Sequence, residues 1–147
     1  VVLADAVGAK FGDRMTREIA DIFSYPMYEH AQLLFEDSSR RQMSHAHLPE
    51  DVLLRLARNY ESFALFGWSP TLFDPQLVSR LHRINVPTQI LWGEKDRVVP
   101  VEYGRKFAAS IPGAGFEIVP GVGHYPHIEN PQAFVAAVER FVGTLPN

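Results

Sequence analysis

Three short apolar runs, residues 1–4, 88–92 and 116–119, are separated by stretches long enough for helices, and each opens into a loop marked by glycine. Parallel neighbours cannot be joined by a tight hairpin, so strands alternating with crossover-length helices imply a parallel sheet covered by those helices. The second and third runs end in loops that carry an acid and a histidine. Gly93-Glu94-Lys95-Asp96 follows residues 88–92, and Gly121-Val122-Gly123-His124 follows residues 116–120.

The first run, Val1-Val2-Leu3-Ala4, is apolar and rich in β-branched residues up to Asp5 and Gly8. This pattern predicts a strand buried on both faces of the sheet. From Met15 to about Phe73 the text changes to helical periods, with stripes at Ile19, Ile22 and Phe23, at Met27, Ala31, Leu34 and Phe35, and at Val52, Leu53, Leu56, Ala57, Tyr60 and Phe63. Pro26, Pro49 and Pro70 fall at the breaks, where a residue without a backbone N–H is tolerated. Asp74-Pro75 predicts a helix start, with Leu77, Val78, Leu81 and Ile84 on its face. Pro100 restarts a helix that ends at Pro112-Gly113, and Asn130-Pro131 caps a final helix with the stripe Phe134, Val135, Val138, Phe141, Val142 and Leu145. The expected organisation is a core strand and loop over 1–12, a helical subdomain over 13–73 and a C-terminal core segment over 74–147. No internal repeat or low-complexity segment interrupts it.

Composition narrows the function classes. The 147 residues, 46% hydrophobic and 12% aromatic, suffice for a buried core. A net charge of −3, with no basic cluster longer than Arg40-Arg41, gives no electrostatic footprint for nucleic acid or an anionic membrane. A small molecule is the expected partner. No apolar stretch approaches a membrane span, and Val1-Val2-Leu3 lacks the basic lead-in of a secretory signal. The absence of cysteine excludes disulfides, thiolate metal sites and a cysteine nucleophile within these residues without choosing a compartment, and the cytoplasm is the default expectation. A start at Val1, inside a strand, leads us to expect a piece of a longer chain.

Ligands and catalytic groups gather beyond the carboxyl ends of the strands in such sheets. Asp96 and His124 both lie just past the ends of consecutive strands, which places them on one rim. A carboxylate that accepts from one ring nitrogen fixes the histidine tautomer, and the other nitrogen is then free to take a proton from a nucleophile or from water. Alone, Asp96 would be a turn former and His124 a loop histidine. At matched positions they form a candidate catalytic pair.

Residues 84–100, Ile-Asn-Val-Pro-Thr-Gln-Ile-Leu-Trp-Gly-Glu-Lys-Asp-Arg-Val-Val-Pro, resemble the acid-bearing strand and loop of α/β-hydrolases. Residues 121–131, Gly-Val-Gly-His-Tyr-Pro-His-Ile-Glu-Asn-Pro, resemble their histidine loop and the start of the final helix. The resemblance is specific from about Leu77 onward and looser over the helical block. It implies that Asp96 is the triad acid and His124 the triad base, that residues 1–5 are the strand following the nucleophile helix, and that residues 15–73 are a helical cap shaping the substrate pocket. No cofactor and no metal are implied.

The sequence departs from this family at one place. The nucleophile elbow, Gly-x-Ser-x-Gly between a strand and a helix, and the oxyanion loop precede the family's counterpart of Val1. Gly67-Trp68-Ser69-Pro70-Thr71 imitates the elbow but lacks its last glycine, has proline where a helix should continue, and follows a helical stripe. Ser69 is therefore read as a turn residue. Asp5 is a second position for the acid, used by some members of the family; in that case Asp96 would only form a turn. His127 with Glu129, and His45 with His47, complete no known zinc spacing. The aromatic residues Phe23, Tyr25, Tyr28, Phe35, Tyr60, Phe63, Phe66 and Trp68 are expected to be mostly core.

Two functions follow as expectations. The first is a part of an α/β-hydrolase that cleaves an ester, a lactone or a carbon–carbon bond next to a carbonyl, using a serine or, as in the dehalogenase and epoxide-hydrolase branches, an aspartate nucleophile from outside these residues. The second is an inactive hydrolase-like module that self-associates or pairs with an N-terminal half through the open edge of residues 1–4.

Overall fold

The computed structural model describes residues 1–13, 15–26, 29–41, 47–67 and 72–146. Met27, Tyr28, His45, Trp68, Ser69 and Pro70, singled out above, lie outside them. Strands β1 (Val2–Ala4), β2 (Gln89–Gly93) and β3 (Gly115–Val119) form a parallel sheet in the order β1-β2-β3. Leu91 pairs with Ala4 on one side and with Glu117 on the other. Helices α1 (His30–Leu34), α2 (Ser38–Arg41) and α3 (Glu50–Gly67) lie between β1 and the short α4 (Val78–Leu81). Helix α5 (Val101–Ala109) joins β2 to β3, and α6 (Pro126–Glu129) and α7 (Pro131–Gly143) follow β3. None of these helices is long and apolar enough to cross a membrane.

β2 is the buried strand. Ile90, Leu91 and Trp92 are fully buried because both edges of β2 are paired and both faces are covered. On one face, Ile90 and Trp92 join Tyr103, Phe107 and Ile111; on the other, Leu91 meets Val119, Val122 and Ala137. Trp92 also donates its indole N–H to the Val99 carbonyl at 3.1 Å, and the side of its ring lies against Gly104 of α5, where a Cβ would come within 2.4 Å. β1 differs from the expectation: it is half-buried, because it is paired on one edge only among the described strands. Its continuous apolar text suits the sheet interior but does not fix its place in the strand order.

The helical block also departs from its reading. Ile19 is buried but lies outside any helix, and the first regular element is a single 3-10 turn, Ile22–Ser24. This stretch is held by contacts that periodicity does not reveal. Glu18 accepts the Phe11 and Gly12 N–H groups, both at 2.8 Å, and Ala20 donates to the Val98 carbonyl at 2.8 Å. The helix expected from Asp74-Pro75 is mostly turn: the Asp74 carboxylate accepts from Gln76, and the helix itself spans only Val78–Leu81. α3 forms as its stripe predicts. The aromatics described in this block divide evenly: Phe35 is buried and Phe23 and Tyr60 are half-buried, whereas Tyr25, Phe63 and Phe66 are exposed. Phe23 packs edge-on to Tyr60 and tilted against Phe63.

Candidate active site

Asp96 and His124 meet at the carboxyl ends of β2 and β3. The Asp96 side chain is fully buried and that of His124 is 14% exposed, with His124 Nδ1 2.8 Å from Asp96 Oδ2. The other oxygen, Oδ1, accepts the backbone N–H groups of Val98 at 2.7 Å and Val99 at 3.1 Å. Those two bonds fix the carboxylate plane, so Oδ2 points at the ring. An ionised Asp96 accepts from the ring only in the tautomer with the proton on Nδ1, which leaves Nε2 without one.

Sheet pairing runs on past the strand ends and sets the two loops in register. Glu94 donates its N–H to the Val119 carbonyl at 3.0 Å and Lys95 to that of Val122 at 2.8 Å. The Glu94 carboxylate accepts the Gly121 N–H at 2.9 Å, while Gly121 itself takes φ +70, a conformation costly for other residues.

Three residues that sequence reasoning did not place at the site hold the helical block against it. Glu129 Oε1 accepts the N–H groups of Glu36 at 2.8 Å and Asp37 at 2.7 Å, and its Oε2 accepts that of Gly123 at 2.5 Å. On the acid loop, Arg97 donates to the carbonyls of Gln32 and Phe35 and to the Glu36 carboxylate. Leu34 accepts the His124 N–H at 2.9 Å. Glu129 is a charged acceptor for three amides on two segments. The available signal was its position between the histidine and the Asn130 cap. His127 packs on Phe134 and Tyr125, His47 is exposed, and His45 and Ser69 lie outside the described residues.

Asp5, the second position for the acid, stands behind the pair. It is 4% exposed at the end of β1, with φ +43, and its Oδ1 accepts the Gly93 N–H at 2.7 Å. Its Oδ2 accepts from no donor. Burial, opposed in part by the Gly93 bond and reinforced by the neighbouring Asp96 charge, pushes its carboxyl up to about 9. The hydrogen-bond partner of His124 is Asp96, and Asp5 lies beside that pair. Ligand atoms of Asp5, Asp96 and His124 all lie within 4.8 Å of one another, as a cation site would need. Protons account for the arrangement, since Asp96 Oδ2 and His124 Nδ1 already stand at hydrogen-bond distance and Asp96 Oδ1 is occupied by two amides.

A strand-end acid joined to a histidine one strand further on is the arrangement that the resemblance implied, and the sequence profile of the alpha/beta hydrolase family matches residues 1–138. The chain belongs to this family. Among alpha/beta hydrolases and other relatives, it is 29% identical over 127 residues to 2-hydroxy-6-oxononadienedioate/2-hydroxy-6-oxononatrienedioate hydrolase 2 of Pseudomonas putida, covering 86% of this chain and 40% of that protein. An uncharacterized protein of Mycobacterium tuberculosis is 41% identical over 73 residues, 47% of this chain and 21% of its own length. Among solved structures, a variant of the meta-cleavage product hydrolase CumD superposes over 98% of this chain and 55% of its own, with a TM-score of 0.65 and 23% identity. The serine hydrolase CarC, involved in carbazole degradation, covers 98% of this chain and 54% of its own, with a TM-score of 0.63 and 22% identity. At these identities the two structures establish the α/β-hydrolase fold. The chain spans 21% to 40% of the length of these two curated relatives.

Proposed function

We propose that this chain supplies the acid and the base of a hydrolase working through a nucleophile–His124–Asp96 triad, with the nucleophile contributed by residues outside the chain. The supporting observation is the 2.8 Å contact between His124 Nδ1 and Asp96 Oδ2 at the carboxyl rim of the sheet. In this reading His124 Nε2 takes the nucleophile's proton as it attacks, the resulting imidazolium is stabilised by Asp96, and the proton passes to the leaving group. Water then completes the cycle by the same route. The bond cleaved is that of an ester, a lactone or a carbon–carbon bond beside a carbonyl. The names of the Pseudomonas relative and of CumD favour the last of these. Residues 13–73 serve as a cap, held over the site by Arg97 and Glu129.

The chain alone is expected to hydrolyse p-nitrophenyl butyrate and a 2-hydroxy-6-oxo-dienoic acid no faster than buffer, because nucleophile and oxyanion donors supply most of the rate. The open reading frame containing it, followed upstream to an in-frame Gly-x-Ser-x-Gly, is expected to be active and to lose that activity in His124→Ala. Hydrolysis by the chain alone that disappears in Ser69→Ala would overturn the assignment.

A second reading, a non-catalytic module that self-associates or pairs with an N-terminal half, draws on the edge of β1 that is unpaired among the described strands. Light scattering at high concentration tests it. A clean monomer counts against it.

A further inference from the structure

We propose that Asp5 is a positioning residue for the acid: as a neutral carboxylic acid it accepts the Gly93 N–H through Oδ1 and donates the proton on Oδ2 to the Asp96 carboxylate. The inference rests on the triad reading above and adds a residue to it. Three observations carry it. The Asp5 side chain is buried with one oxygen satisfied by Gly93 and the other accepting from no donor. That second oxygen can be satisfied by a proton and a nearby acceptor, and the carboxyl groups of Asp5 and Asp96 are neighbours, with one oxygen of each within 4.8 Å of the other. Two adjacent buried carboxyls cannot both ionise, so one proton is shared between them or held by one. Asp96 is committed as the ionised member by its two amide donors and His124, which leaves the proton to Asp5.

The backbone agrees with this role. Asp5 donates its N–H to the Leu91 carbonyl at 3.0 Å, the last rung between β1 and β2, and then turns with φ +43. Aspartate and asparagine tolerate that conformation better than other residues with a side chain. A short side chain leaving the ladder at this point reaches the start of the acid loop. Asp5 thus ties two features of that loop at once, its backbone at Gly93 and its carboxylate at Asp96.

Carboxyl-carbon NMR of the 147-residue chain tests the assignment without depending on hydrolysis. At pH 7 the Asp5 carboxyl carbon is expected at the position of a protonated acid, and the Asp96 carbon at that of a carboxylate. The His124 Nδ1–H resonance is the second readout. Asp5→Asn, which keeps an acceptor for Gly93 and an N–H donor for Asp96, is expected to leave that resonance and its exchange rate with water close to those of the parent. Asp5→Ala is expected to speed the exchange at least about tenfold, as loss of a charge-assisted hydrogen bond implies. An ionised Asp5 carboxyl at pH 7 overturns the proposal, as does a folded Asp5→Ala chain with unchanged His124 exchange. If Asp5→Ala does not fold, the carbon shifts and Asp5→Asn still decide. Absence of hydrolytic activity in the longer protein would overturn the triad reading alone and leave these resonances unaffected.

Discussion

The acid loop and the histidine loop touch backbone to backbone at Gly93 and Gly123: a Cβ on Gly93 would lie 2.0 Å from the Gly123 carbonyl oxygen. Neither residue is at positive φ, so what they provide is room, and the 2.8 Å contact between Asp96 and His124 depends on it. Gly123 is itself closed in on its other side, where a Cβ would meet the Leu34 carbonyl oxygen at 2.8 Å.

Gly93→Ala is therefore expected to be among the most damaging single-methyl changes in the molecule. The obstructing atom is backbone and cannot rotate away, so β2 and the histidine loop must separate, at a cost on the order of 3 kcal/mol. Gly121→Ala is the matched control: its φ is +70 and nothing lies within 4 Å of a Cβ there, so only the conformational penalty of about 1 kcal/mol applies. Urea midpoints of the two variants should separate clearly. Equal midpoints would contradict the close approach.

Glu129→Gln tests the tie between the helical block and the histidine loop. The carboxylate accepts three backbone N–H groups, from Glu36, Asp37 and Gly123. An amide brings two donors of its own and presents an NH₂ to at least one of them. The expected loss is about 1–3 kcal/mol, with faster amide exchange at Glu36, Asp37 and Gly123 and little change at Trp92. Uniform acceleration across the chain would mean that the bonds serve global stability instead of tying these two segments.

What was legible in the sequence divides along physical lines. The helices α3 and α7, the strand β2 and the acid–histidine pair were readable because each rests on a local signal: a 3.6-residue stripe, a short apolar run, or a cap such as Asn130, which accepts the Ala133 N–H at 3.1 Å. The half-exposed face of β1 was not, because burial depends on strand order and strand order is a long-range property. The segment around Ile19 carries a helix-like apolar spacing but is not a helix, because its neighbours Glu18 and Ala20 are held by hydrogen bonds to Phe11, Gly12 and Val98 that periodicity does not show. Arg97 and Glu129 look like ordinary surface charges in the text, because their partners are backbone groups of residues 32–37 and of Gly123, together with the Glu36 carboxylate, which no pattern marks.

Tyr103→Phe probes the anchoring of the loop after β1. The buried phenol donates to the Ala9 carbonyl at 2.8 Å and lies 2.7 Å from the Ala9 N–H, which it accepts. Burial pushes this phenol up to about 12, so it stays protonated through any ordinary assay. Phenylalanine keeps the packing against Phe11 and Trp92 but leaves a buried N–H and C=O without that partner. A loss of about 1–3 kcal/mol is expected. The loss should be constant between pH 5 and pH 9, and a midpoint difference that changes with pH would point to a different role for the hydroxyl.

Asp5→Asn is expected to raise stability, and by more as pH rises. The Asp5 carboxyl has an ordinary value of 3.8 and stands at about 9 in the folded chain, chiefly through burial. Between those values the folded chain holds a proton that the unfolded chain has released, so stability falls with increasing pH across that window. The Asp5 contribution is complete below about pH 4 and is lost progressively toward pH 9. Asparagine has no proton to release, accepts from Gly93 as Asp5 does, and tolerates φ +43. Taking the difference between variant and parent at each pH cancels the other carboxylates, among them Asp13 and Asp37, whose hydrogen bonds to Thr16 and Ser39 shift them downward and act in the opposite direction. Thermal midpoints at pH 5, 6, 7 and 8 should show a growing advantage for Asp5→Asn, each ~1 kcal/mol appearing as about 2–4 °C in a chain of this size. A difference that stays flat or shrinks over that range would mean that Asp5 ionises in the folded protein.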